Sequence, residues 1–88
     1  MVNKGTLATK DFVLQHVSVG PNPTKNKVQI HSLENIENLR ITDLKGSVLY
    51  TKTGKNLTQV SLENLQTGVY FLRVANAKGS KVFKVVKE

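Results

Sequence analysis

The stretch "GVYFLRV", Gly68–Val74, decides the fold. On a strand, Val69, Phe71 and Arg73 share one face, and Tyr70, Leu72 and Val74 share the other. Two apolar-rich faces predict a central strand, or one whose second face is partly covered by a neighbour. Aromatics on such a strand can also stack bases. The RNA recognition motif needs two helices, however, and no stretch here carries a helical apolar stripe free of glycine or turn residues.

Outward from this stretch the same alternation recurs. "FVLQHVSV" (12–19), "KVQIHS" (27–32), "NLRITDL" (38–44), "SVLYTK" (47–52), "LTQVSL" (57–62) and "KVFKVVK" (81–87) read as further strands. Seven strands with turns between them predict an all-β, antiparallel β-sandwich. In "TDLKGS", Gly46 can take positive φ, as a bulged hairpin turn needs, and Asp43 is placed to cap its own backbone. Gly79 in "ANAKGS" is expected to serve the last hairpin in the same way, and Gly54 a looser return. "SLENI" (32–36) and "SLENL" (61–65) read as two similar one-turn connectors, each seating its leucine under an end of the sandwich.

Both prolines of the chain lie in "GPNPT", Gly20–Thr24. Each fixes its own φ, removes a ladder donor and pushes the preceding residue toward extended backbone. The segment therefore reads as a stiff elbow that ends the first strand and launches the second. "NPTK" (22–25) suits a type I turn, with Asn22 first and Pro23 second.

Composition bounds the chemistry. Eighty-eight residues make one domain, and no apolar run is long enough to span a membrane. The N-terminus has no apolar core of signal-peptide length, so the chain either stays in the cytosol or is a piece of a longer precursor. The absence of cysteine excludes disulfides, thiolate metal sites and a cysteine nucleophile. His16 and His31 lack metal-ligand spacing, no metal or other cofactor is expected, and the six acids form no local catalytic pair. No nucleophile elbow, P-loop or dinucleotide loop occurs, so the chain does not read as an enzyme. "NLT" (56–58) matches a glycosylation sequon at a frequency close to chance. A net charge of +7 admits anionic partners, but it is dispersed over the chain, and nucleic acid is not an expected partner.

The last residues concentrate lysine: Lys78, Lys81, Lys84 and Lys87. On a strand, Lys81, Phe83, Val85 and Lys87 share one face, and Val82, Lys84 and Val86 the other. The strand reads as an edge guarded by lysines against unwanted pairing, or as a basic, hydrophobic strand offered to a partner. Such an edge could also pair with a second copy to give a homodimer.

Taken in order, "PNPT", "ITDLKGSVLY", "LENLQTGVYFLRV" and the terminal "KVFKVVK" resemble the type A C-terminal sorting domain of the type IX secretion system, over about Val17 to Lys87. The resemblance implies an immunoglobulin-like sandwich over 12–88, preceded by a linker at 1–11 from upstream cargo. It implies a secretion signal that passes through the periplasm and across the outer membrane to the cell surface or medium. Its implied partners are outer-membrane translocon and shuttle components. A sortase-like signal peptidase would then remove the domain between Val2 and Phe12. The precursor's own signal peptide would lie upstream on the cargo, with Met1 not a natural start. Carried over by residue, the proline motif is Pro21, Asn22 and Pro23. The "D-x-x-G" turn is Asp43 and Gly46, and the "G-x-Y" strand start is Gly68 to Tyr70. The terminal recognition motif is Lys84, Val85, Val86 and Lys87. Gly20 departs from the aromatic often found before the first proline, and Lys25-Asn26 from the usual Ser-Gly. The competing reading is a generic sandwich that binds or spaces, appended to a secreted enzyme or adhesin.

Overall fold

The computed structural model describes Leu14 and residues 16–88. Seven strands follow in chain order: β1 Val17–Gly20, β2 Lys27–Ser32, β3 Asn38–Thr42, β4 Val48–Thr53, β5 Gln59–Ser61, β6 Gly68–Asn76 and β7 Gly79–Lys87. They form two antiparallel sheets, ordered β1-β2-β5 and β4-β3-β6-β7. The expected all-β sandwich is what forms. Its order is compatible with an immunoglobulin-like arrangement whose fourth strand joins the sheet of the third rather than that of the fifth.

β6 is an interior strand, as its two apolar faces predict. Tyr70, Leu72 and Val74 point into the core, and Val69, Phe71 and Arg73 are half-buried on the outer face. Across the ladder, Leu72 lies between Ile41 and Phe83, and Tyr70 beside Val85. The smaller sheet closes the core with Val17, Val28, Ile30 and Val60, all buried. Its alternate residues, including His31, Gln29 and Gln59, face outward. Burial of each large aliphatic side chain contributes roughly 1.5–3 kcal/mol, enough for such a pattern to fix the register of every strand.

The structure corrects several expectations. The first described strand begins at Val17; of the stretch expected from residue 12, residues 12, 13 and 15 lie outside the described residues, and Leu14 is buried but donates its N–H to Ser80 O (3.1 Å), outside the ladder of β1. The expected linker at 1–11 and the cut region at Val2–Phe12 lie outside the described residues. β5 spans three residues rather than six: Leu57 N–H leaves its ladder for Ile36 O (2.9 Å), while Leu62 N–H adds one more rung to β2 through Asn26 O (2.7 Å). Gly46 has φ 93°, as expected, but Gly79 does not share that conformation. It pairs with Asn76 instead, and the Asn76 carboxamide caps the turn by accepting from Lys78 N–H (2.8 Å) and Gly79 N–H (3.2 Å). In the loop around Gly54 the left-handed residue is Asn56, with φ 50°.

The two "SLEN" segments also part company. Leu62 is 2% exposed, as predicted, but Leu33 is 85% exposed and Ile36 takes its place in the core. Strand parity explains the difference. Leu62 stands two residues beyond inward-facing Val60, whereas Leu33 stands three beyond inward-facing Ile30. Sequence echo does not override the register of the preceding strand.

Candidate functional site

The elbow at residues 20–24 carries few backbone donors, because its two prolines have none. Pro21, Asn22 and Pro23 are exposed, and both proline peptide bonds are cis. Residues 22 and 23 bend without a hydrogen-bonded turn, so the expected type I turn does not form. What forms is a join to the far end of the chain. Thr24 makes a parallel bridge to Lys87: its N–H donates to Val86 O, and its carbonyl accepts from Glu88 N–H, both at 2.8 Å. The competing 22–25 turn loses because Thr24 is drawn into this bridge.

Asn22 extends the join with its side chain. Its Nδ2 donates to Lys84 O (2.7 Å), and its Oδ1 accepts from Val86 N–H (2.9 Å). The carboxamide thus stands in for a strand's peptide group, and only one orientation of it satisfies both partners. Thr24 is 2% exposed, and its hydroxyl is also used twice. It donates to Lys27 O (2.6 Å) and accepts from Asn26 N–H (3.2 Å). Asn22–Thr24 is therefore a short clip along the outer edge of β7. The prolines on either side of Asn22 remove two N–H donors that could recruit another strand there.

The remaining motif residues gather at the same end. β7 pairs Lys87 with Gly68, Val86 with Val69, Val85 with Tyr70 and Lys84 with Phe71. Lys87 Nζ donates to Leu65 O and reaches Glu63 O at 3.4 Å, which pins the turn before β6. The Tyr70 hydroxyl donates to Gln66 O (2.5 Å) in that turn. A shallow hollow is lined by Asp43, Leu44, Lys45, Gly68, Val69 and Tyr70, so the "D-x-x-G" turn lies beside the "G-x-Y" strand start. The elbow, the turn, the strand start and the terminal motif thus meet at one end of the sandwich.

The four terminal-motif residues do different jobs. Val85 is 1% exposed and belongs to the core. Lys87 holds the Glu63–Leu65 turn. Lys84 is exposed and Val86 half-buried on the outer face, so these two carry the side chains open to a partner. The glycines differ as well. A Cβ at Gly68 would meet Tyr70 Oη at an ordinary 3.8 Å, and at Gly20 it would meet nothing within 4 Å. Neither position demands glycine by crowding, and the place of the family's aromatic is open space.

Asp43 closes the β3–β4 turn as predicted. Its Oδ1 accepts from Lys45 N–H and Ser47 N–H, each at 2.9 Å, and its backbone bonds Ser47 and Gly46. Asp43→Ala should cost about 1 kcal/mol, read as a lower urea midpoint at unchanged slope. No group of metal-ligating side chains occurs among the described residues.

Sequence reasoning missed Thr24, which anchors the clip, and the reach of Asn22 across the sandwich. A polar residue between two donor-less prolines was the available signal. A family model described as the secretion system C-terminal sorting domain matches residues 18–88. No curated protein matches the chain.

Proposed function

Because the chain belongs to the secretion system C-terminal sorting domain family, we propose that type IX machinery reads the composite end formed by Asn22–Thr24 and Lys84–Lys87. The chain is a sorting signal for type IX secretion, and its family is one of signals rather than of enzymes. It directs the polypeptide that bears it to the cell surface or the extracellular space. In the proposed sequence of events, the folded domain travels through the periplasm and meets shuttle and outer-membrane translocon components at this end. Lys84 and Val86 supply the exposed contacts, while Asn22 and Thr24 fix the strand that presents them. A sortase-like signal peptidase then cuts between Val2 and Phe12, upstream of the elbow, and frees the cargo for anchoring or release.

The observation that supports this reading most is the four-bond clip, which ties the proline motif to the terminal motif. Two motifs 62 residues apart along the chain make a single surface. The test is export of a passive reporter carrying an N-terminal signal peptide and residues 1–88 at its C-terminus, in a host with the type IX system. The reporter should reach the surface or medium, with a new terminus mapping to Val2–Phe12 by mass spectrometry. Retention in the periplasm, while a known sorting domain exports the same reporter, contradicts the reading.

A further inference from the structure

The four-stranded sheet has two edges, and they are not equivalent. Along β7, Ser80 O is taken by Leu14, Lys84 O and Val86 N–H by Asn22, and Val86 O and Glu88 N–H by Thr24. That edge, the one expected to pair with a second copy, is largely spent. β4 lies at the opposite edge, and among the described residues only β3 pairs with it.

All six residues of β4 are exposed, including Val48, Leu49 and Tyr50 at 54%, 42% and 39%. An edge strand is normally blunted by proline, by inward charge or by a covering segment. β4 has no proline and a single charge, Lys52. Charge along its own stretch is one-sided: Lys45, Lys52 and Lys55 fall between Leu44 and Leu62, with no carboxylate in that stretch. Asp43, just before it, is engaged by the turn amides. Glu37 lies beside the far end of β4, its carbonyl accepting from Gly54 N–H (3.0 Å), but its carboxylate accepts from Asn35 Nδ2 (3.2 Å). The carboxylate that lines the hollow beside Leu49 and Tyr50 is Glu63, at the apolar half of the strand.

We propose that β4 is a strand-addition site for an extended, acidic segment of another polypeptide. The segment runs antiparallel to β4. Its acidic half lies against Lys52 and Lys55, and its β-branched half lies over Val48–Tyr50 and away from Glu63. Backbone ladder bonds supply affinity, and the lysines select the partner's charge. A second copy of this chain is disfavoured, because it would bring a second net charge of +7 to the same lysine-flanked edge. The proposal does not depend on where the secretion machinery binds.

The test is backbone amide hydrogen exchange of the full chain, with and without an acetylated, amidated octapeptide. Its first four residues alternate glutamate and threonine, and its last four alternate valine and threonine. The peptide should selectively slow the outward-facing amides of β4, those not bonded to β3. Affinity should fall at least about tenfold when its glutamates become lysines, and again when alternate backbone nitrogens are methylated. Three results would each overturn the proposal. One is no slowing at β4. Another is equal binding of the lysine or the N-methylated peptide. The third is that the outward-facing amides of β4, those not bonded to β3, are already slow in the isolated chain, which would mean the edge is filled by a second copy or by residues 1–13.

Discussion

Removal of Lys84–Glu88 should unfold the domain and abolish export of anything fused to it. Val85 is 1% exposed and packs beside Tyr70, so its loss alone costs roughly 1.5–3 kcal/mol. The deletion also removes the pairing of Lys84–Lys87 with Gly68–Phe71, the clip to Asn22 and Thr24, and the Lys87 bonds to the Glu63–Leu65 turn. Tyr70 and the start of β6 would be left uncovered. A domain of this length has about 4–13 kcal/mol of stability in total. The truncated chain should therefore lose at least about 15 °C in Tm, or lack a cooperative transition altogether. A transition within a few degrees of the intact chain's would contradict the packing described. Lys84→Gln separates presentation from folding. Lys84 is exposed, so the change should move stability by no more than about 0.5 kcal/mol. Export should nevertheless fall, if the machinery reads that side chain.

Asn22→Ala is the second large effect, and the more specific one. It removes two hydrogen bonds, each contributing about 0.5–1.5 kcal/mol, while the groups released on β7 can turn to water. The net loss should be about 1–2 kcal/mol, seen as a lower urea midpoint at unchanged slope. Asn22→Asp should do no better. A carboxylate keeps the acceptor for Val86 N–H but sets a second oxygen against Lys84 O. Reporter export should drop in both variants, because the strand end that carries Lys84 and Val86 is no longer held from its outer side.

Much of the fold was legible in the chain because strand alternation is a local signal. The two apolar-rich faces of Gly68–Val74 declared a central strand, and Asp43 and Gly46 declared their turn. Legibility failed where a long-range partner decided the outcome. Nothing local in "NPTK" revealed that Thr24 would bridge to Lys87 rather than close a turn. Nothing in "SLEN" distinguished Leu33 from Leu62, because their fates depend on the parity of the strand before each. Gly79 resembles Gly46 in sequence context, yet Asn76 supplies a cap that makes positive φ unnecessary there. The motif residues themselves could be picked out one by one. Their assembly at one end of the sandwich could not, because the chain separates the elbow from the strand it clips by the whole length of the domain.

The join between elbow and terminal strand is tested most directly at one amide. Hydrogen exchange at Val86 N–H, compared between the unaltered chain and Asn22→Ala, isolates the bond to Asn22 Oδ1. Exchange should be slow in the unaltered chain and should quicken at least about tenfold in the variant, while Leu72 in the core of β6 stays protected. Rapid exchange at Val86 in the unaltered chain, or a rate indifferent to Asn22, would contradict the clip and with it the composite end.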